Sequence, residues 1–353
     1  MTALLLAFLL VALGLVFRWP ARVVLGMLAV LWAGVVVALL VMPEDHPMRG
    51  SLGGDWRPWA FVALVVLAAA LYRAGLLRLR QQARARSGPA ASSAPADADA
   101  LSEVELDRYA RHIVLREIGG MGQRRLKQAR VLVVGAGGLG SPALLYLAAA
   151  GVGRIGVIDD DVVSHDNLQR QVIHADRRIG QPKVFSAQET IRALNPFVEV
   201  RPYHRRLVEG EAVELISEYD IVLDGSDNFP TRHLVNAAAV AAGKPLIAAA
   251  ISQWEGQISL YDPARDAPCY ACIFPEPPAR ELIPSCAEAG VLGALPGVLG
   301  AMMAVETIKE ITGAGQTLRG RLLIYDALYG ESRQIAVRRS PACPVCGGVA
   351  RRG

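Results

Sequence analysis

The sequence predicts a doubly wound α/β fold, a mostly parallel sheet with a partly antiparallel extension, preceded by membrane-spanning helices. Three observations predict it: a β-branched run opening into a glycine cluster, a regular alternation of strand and helix patterns after it, and apolar residues concentrated at the N-terminus. The chain has 353 residues, 52% hydrophobic and 20% charged, which excludes wholesale disorder and fits more than one structural unit. The formal net charge is only +4, with no basic stripe interleaved with aromatics, so no nucleic-acid partner is expected.

Four of the five tryptophans (Trp19, Trp32, Trp56, Trp59) fall near the N-terminus. Val23 to Met42 is an uninterrupted apolar run of about twenty residues, which at ~1.5 Å per residue spans a ~30 Å hydrocarbon layer. Trp59 to Leu77 is nearly as long, broken only by Arg73, whose side chain can reach the headgroups. Ala3 to Phe17 is shorter; it has no Lys or Arg ahead of it and no small-residue cleavage pattern after it, so it reads as a first span rather than a signal peptide. The alternative is that these runs are buried helices of a soluble domain. Residues 1–77 are therefore expected to be a membrane segment of two or three transmembrane helices. Arg78, Arg80, Arg84 and Arg86 form the strongest basic cluster beside any span, which places everything after Leu77 on the cytoplasmic side of the cell inner membrane. Residues 78–100 form a basic and flexible linker, because Ser87 to Ala100 is small, polar and proline-containing. Residues 101–353 are expected to form the remaining domain, without internal repeat.

In that domain, Arg130 to Val134 is a strand that runs into Gly135, Gly137, Gly138 and Gly140, followed by a helical pattern to about Ala150. Such a turn lets a backbone approach phosphates at a helix N-terminus. A second strand, Arg154 to Ile158, ends on Asp159, which can accept hydrogen bonds from a ribose, with Asp161 beside it. At this point NAD, FAD and ATP all fit. The alternation continues with a helix over Gln181 to Leu194, a strand over Val198 to Pro202, a strand over Tyr219 to Leu223, a helix over Thr231 to Ala242 and a strand over Pro245 to Ala250. Gly256 to Tyr261 and Leu322 to Tyr325 read as the antiparallel extension, with a helix from about Val298 to Thr312 between them. The whole is a Rossmann-like arrangement.

Between the second strand and the next helix lie Asp166, Asn167 and Arg170, then Gly180-Gln-Pro-Lys183. Two permanent cations and a polar amide suit a triphosphate, whereas a dehydrogenase needs no such cluster. Asp227, with Asn228, follows a strand end, where a carboxylate can hold Mg²⁺ against phosphate oxygens. The plainer reading is that Arg170 and Lys183 are ordinary surface charges, which their joint occurrence around one sheet edge disfavours.

The cysteines form two C-x-x-C pairs, Cys269/Cys272 and Cys343/Cys346, with Cys286 left over. Four thiolates in two such pairs match a closed, structural tetrahedral zinc site, a zinc knuckle; redox dithiols are the competing reading. His112, His165, His174, His204 and His233 have no metal-ligand spacing and read as ordinary polar residues.

The stretches RYARHIVL (Arg108 to Leu115), GAGGLG, DNLQRQ, GQPK, DGSDN, WEGQI (Trp254 to Ile258) and SCAEAGV (Ser285 to Val291) occur in the order found in one family. From about Leu101 onward the chain resembles the MoeB/ThiF/HesA group of ubiquitin-activating-enzyme-like adenylyltransferases. The membrane segment has no counterpart in the soluble bacterial members. The resemblance implies that Gly138 lies against the nucleotide phosphates, that Asp159 binds the ribose, that Asn167, Arg170 and Lys183 bind phosphate, and that Asp227 holds Mg²⁺. It also implies that Arg111 reaches across a homodimer interface into the partner's ATP site. Asp166 departs from the family, many of whose members have serine there; an acid at this point would weaken ATP binding unless it faces Mg²⁺. The implied reaction is ATP-dependent adenylation of the C-terminal Gly-Gly carboxylate of a small ubiquitin-like sulfur-carrier protein, of molybdopterin-synthase or thiamin type, preparing it for thiocarboxylate formation. In the family the region of Cys286 is a loop crossing the carrier's tail; some members form a covalent sulfur link through a cysteine there, and others keep the cysteine without needing it for turnover. No rhodanese-like domain follows Cys346, so the expected sulfur donor is a separate sulfurtransferase or cysteine desulfurase. The alternatives are adenylation of another carboxylate or a modified tRNA base, a membrane-bound NAD(P) oxidoreductase, and a non-catalytic scaffold that binds the carrier.

Overall fold

The structure, a computed structural model, describes residues 6, 8, 10, 12, 13, 19–43, 46–86, 100–276 and 290–349, with some side chains of the N-terminal helices left out. Most of the first apolar segment, residues 87–99 of the linker, and Cys286 therefore lie outside the described residues. Two units divide the chain, Met1–Pro95 and Ala96–Gly353.

The first unit contains helices α1 (Ala21–Val41), α2 (Met48–Leu52) and α3 (Arg57–Arg86). Val35 and Leu39 are buried against Leu52 and Trp59, and the Trp32 indole donates to the Trp59 carbonyl at 3.1 Å. Among the described residues no helix is long and apolar enough to cross a membrane, so the two or three expected transmembrane helices are not found there. In α3 the apolar run is broken by Arg73 and gives way to Arg78, Arg80, Arg84 and Arg86 before the helix ends.

The second unit opens with α4 (Glu103–Arg108), α5 (Ala110–Ile113) and α6 (Gly119–Gln128). Ser102 and Glu105 form a reciprocal capping box that starts α4. Then follow β1 (Arg130–Val134), α7 (Gly140–Ala150), β2 (Arg154–Ile158), α8 (Lys183–Leu194), β3 (Glu199–Tyr203), α9 (Glu209–Ser217), β4 (Ile221–Asp224), α10 (Phe229–Ala242), β5 (Leu246–Ser252), β6 (Glu255–Tyr261), α11 (Tyr270–Ile273), α12 (Leu295–Thr312), β7 (Arg321–Asp326) and β8 (Glu331–Ala336). The eight strands form one sheet in the order β3-β2-β1-β4-β5-β6-β7-β8, parallel through β5 and antiparallel from β6 onward.

Both faces of the sheet are covered, which is why β1 is apolar without alternation. Val131 and Val133 pack with residues of α7, α8 and α12, while Leu132 and Val134 pack with residues of α9 and α10. The chain winds from β1 outward to β3, then crosses to β4 on the other side of β1. That reversal opens a crevice beyond the carboxyl ends of β1 and β4, the place where doubly wound sheets bind ligands.

The element boundaries differ from the expectations in instructive ways. The helix expected from Gln181 starts at Lys183, because Pro182 keeps the preceding residue out of helical conformation. The α10 helix starts two residues early, at Phe229, where Asn228 caps it by accepting from the Thr231 N–H at 3.0 Å. β8 has no counterpart in the sequence reading: its six residues are exposed, and a polar edge strand carries no apolar signal.

Candidate functional site

The turn from β1 into α7 is built so that only glycine fits at two points. Gly135 has φ +94°, and a Cβ there would lie 3.1 Å from the Gly225 carbonyl oxygen at the end of β4. A Cβ on Gly140 would lie 1.9 Å from the Gly135 carbonyl oxygen, so any side chain would force the turn open. The Gly135 N–H donates to the Ile158 carbonyl and the Gly225 N–H to the Val134 carbonyl, both at 2.9 Å, which ties the turn to the ends of β2 and β4.

Asp159 closes one side of this turn. Its carboxylate accepts from the Ala136 N–H and the Asp161 N–H, each at 2.8 Å. Burial raises its pKa, and the two backbone donors act against that rise. Lys183, buried at the first turn of α8, places its ammonium 2.8 Å from the exposed Asp161 carboxylate. Arg170 donates to the Asn167 side-chain carbonyl at 2.6 Å and to the Asp166 backbone carbonyl at 3.0 Å. The Asp166 carboxylate is turned back onto the Ser164 hydroxyl, which donates to it and, as the largest influence, lowers its pKa. Across the crevice, Asp227 is exposed just past β4 and accepts from Asn228 at 3.3 Å.

The structure thus gathers Gly135, Gly137, Gly138 and Gly140 with Asp159, Asp161, Asn167, Arg170 and Lys183 on one side of the crevice, and Asp227 with Asn228 on the other. Arg111, exposed on α5, makes none of the hydrogen bonds or ion pairs of the described residues.

Three residues to which the sequence reading gave no site role support this arrangement. Asp224 is fully buried at the end of β4 and accepts from the Ser226 N–H at 2.9 Å. Arg232, buried on α10, sits 4.0 Å from Asp224 and donates to the Ala249 carbonyl at 2.8 Å and to the Ser226 carbonyl. Together they fix the loop that carries Asp227. His174 is buried behind the glycine turn, its ring against the Ala136 carbonyl. A lone acid, arginine or histidine has no spacing signature, so only the fold reveals them.

The second candidate site is the knuckle. All four sulfurs of Cys269, Cys272, Cys343 and Cys346 lie within 4.8 Å of one another, with Sγ–Sγ separations of 3.8, 3.6 and 3.4 Å for the 269–272, 269–343 and 272–346 pairs. A tetrahedron with ~2.3 Å Zn–S bonds has edges of about 3.8 Å, so the donor set fits zinc. Burial pushes the Cys269 thiol up, and a bound cation would hold it as the thiolate.

Known proteins resemble the chain over this same stretch. The model of the ThiF family matches residues 109–345. A sulfur carrier protein adenylyltransferase of Thermus thermophilus is 52% identical over 247 residues, covering 69% of this chain and 91% of its own length. The adenylyltransferase and sulfurtransferase MOCS3 of Bos taurus is 50% identical over 267 residues, which span 75% of this chain but only 58% of that protein. Among solved structures, Escherichia coli MccB with ATP superposes with a TM-score of 0.60 at 25% identity, over 68% of this chain and 75% of its own.

Proposed function

Because the chain belongs to the ThiF family, we propose that it adenylates the C-terminal carboxylate of a small ubiquitin-like sulfur-carrier protein ending in Gly-Gly. It is an adenylyltransferase. The observation that carries the reading is the crevice at the β1–β4 reversal, with a glycine turn and two cations gathered around the end of β1 and a carboxylate just past the end of β4, in a chain 52% identical over 247 residues to a named sulfur carrier protein adenylyltransferase. The oxidoreductase and scaffold readings explain neither the cations nor the relatives.

In the proposed reaction a carboxylate oxygen of the carrier attacks the α-phosphorus of ATP. The bond from that phosphorus to the bridging oxygen of the β-phosphate breaks, giving an acyl-adenylate and pyrophosphate. The protein's part is positioning and charge neutralisation, so no general base is needed. Gly135 to Gly140 present backbone N–H groups, and Asp159 takes the ribose. Asn167, Arg170 and Lys183 hold the phosphates, Lys183 exchanging Asp161 for them. Asp227 is the carboxylate placed for Mg²⁺, which would supply further neutralisation of phosphate charge. Arg111 completes the site of a second protomer in a homodimer. A separate sulfurtransferase or cysteine desulfurase then delivers sulfur to make the thiocarboxylate used in molybdenum cofactor or thiamin synthesis.

Carrier-dependent ATP–pyrophosphate exchange is the test. With the full chain, exchange is expected with a Gly-Gly carrier of molybdopterin or thiamin type, and its loss when the terminal glycine is removed. Exchange with a short peptide carboxylate and with neither carrier would replace the carrier reading by a peptide one.

The proposal extends to location. The apolar sequence from Val23 to Met42 and the arginines at 78, 80, 84 and 86 support an inner-membrane tether with the adenylating domain cytoplasmic. The full chain is expected to stay with the membrane fraction after alkaline carbonate washing. Release into the supernatant would refute the tether.

A further inference from the structure

His174 is buried, and its ring bridges two segments of the nucleotide crevice. Nε2 lies 2.9 Å from the Ala136 carbonyl oxygen and Nδ1 lies 2.9 Å from the Ser186 hydroxyl. A carbonyl oxygen can only accept, so Nε2 carries the proton; Nδ1 then keeps its lone pair and accepts from Ser186. Burial brings the histidine's pKa down to about 4, and Lys183 and Arg178, the cations facing it, push the same way. The ring is therefore neutral at ordinary assay pH.

The Ala136 residue is held on both sides. Its N–H donates to the Asp159 carboxylate at 2.8 Å, and its carbonyl accepts from His174. That carbonyl belongs to the same planar, trans peptide unit as the N–H of Gly137, and in such a unit the two groups point in opposite directions. With the carbonyl turned into the buried ring, the Gly137 N–H is turned away from it. That N–H makes none of the hydrogen bonds of the described residues. Ser186 lies on the first turn of α8, three residues beyond Lys183.

We propose that His174 is a positioning residue for the nucleotide: it locks the Ala136–Gly137 peptide so that the Gly137 N–H faces the ATP phosphates, and through Ser186 it ties that peptide to the helix bearing Lys183. This deepens the adenylation reading and rests on it. The role is specific to phosphate, because the adenosine part of the ligand does not depend on which way this peptide faces.

The test compares ATP with adenosine. Dissociation constants for both are measured by titration calorimetry on the full chain, wild type, His174→Phe and His174→Gln. His174→Phe is expected to weaken ATP about tenfold, the scale of one lost hydrogen bond to a charged group, and to leave adenosine unchanged. His174→Gln, whose amide can still donate to the Ala136 carbonyl, is expected to recover most of the loss. Equal weakening of ATP and adenosine, or unchanged ATP binding in folded His174→Phe, would overturn the assignment. If His174→Phe does not fold, the ring nitrogens of the wild type decide by ¹⁵N NMR: a proton on Nε2 supports the inference, and a proton on Nδ1 alone overturns it. A wild type that binds no ATP would instead remove the adenylation reading itself.

Discussion

Replacing Arg170 with alanine is expected to lower carrier-dependent ATP–pyrophosphate exchange by about a thousandfold while leaving the melting temperature nearly unchanged. The magnitude follows from what the side chain does. Its guanidinium is permanently charged, and removing a cation that stabilises charge developing on a transferring phosphoryl group typically costs 10³ or more, about 4 kcal/mol of barrier. The folded state loses much less. Arg170 holds the Asn167 side chain at 2.6 Å and the Asp166 carbonyl at 3.0 Å in a partly exposed loop. Hydrogen bonds of this kind are worth about 1 kcal/mol each and water replaces them. Arg170→Lys separates charge from geometry: it keeps the cation but cannot hold both neighbours, so exchange is expected to fall between wild type and alanine. Exchange of Arg170→Ala within a few fold of wild type would remove Arg170 from the site.

The sequence was most legible where local chemistry and fold demand the same residue. The β1 run is β-branched because both faces of that strand are buried, and the glycines after it are there because Gly140 has no room for a Cβ beside the Gly135 carbonyl. These requirements leave patterns within a dozen residues. Asp159, Asn167, Arg170 and Lys183 were readable as a group because they cluster between one strand and the next helix.

Legibility ends where a residue's meaning comes from a partner distant in sequence. His174 acts on Ala136, Arg232 on Ser226 and Ala249, and Asp224 is notable only because it is buried. None of these relations has a spacing. The β8 strand fails for a different reason: Glu331–Ala336 pairs along β7 through backbone groups, which every residue possesses, while its side chains face solvent. At the N-terminus the apolar run reads more strongly in sequence than in the described helices, where no span is found.

The second large effect is expected at the knuckle. Cys343→Ser should abolish the zinc content of the chain, one ion per wild-type chain, and lower the melting temperature of the adenylating domain by about 10 °C. Cys269 caps α11 and Cys272 lies within it, just after the sheet leaves β6, whereas Cys343 and Cys346 lie beyond β8; the ion would therefore close a loop of some seventy residues. Cross-links over loops of that size contribute about 2–5 kcal/mol, and in a domain of this length each kcal/mol moves the melting temperature by roughly 2–4 °C. The surroundings are built around the folded knuckle. Arg339 donates to the Cys346 and Val349 carbonyls, the latter at 2.7 Å, and the Ser340 N–H points at the Cys272 sulfur from 3.4 Å. A guanidinium and an N–H donor are the groups expected beside a tetrathiolate centre, which keeps a net negative charge after zinc binds. Serine removes one thiolate but leaves these contacts and the volume almost unchanged, so the loss it causes reports on the metal rather than on packing. None of the four cysteines is among the residues of the nucleotide crevice, and ATP binding by Cys343→Ser below its melting temperature is expected to persist. Full zinc content in Cys343→Ser, or none in the wild type, would return the four cysteines to the redox reading.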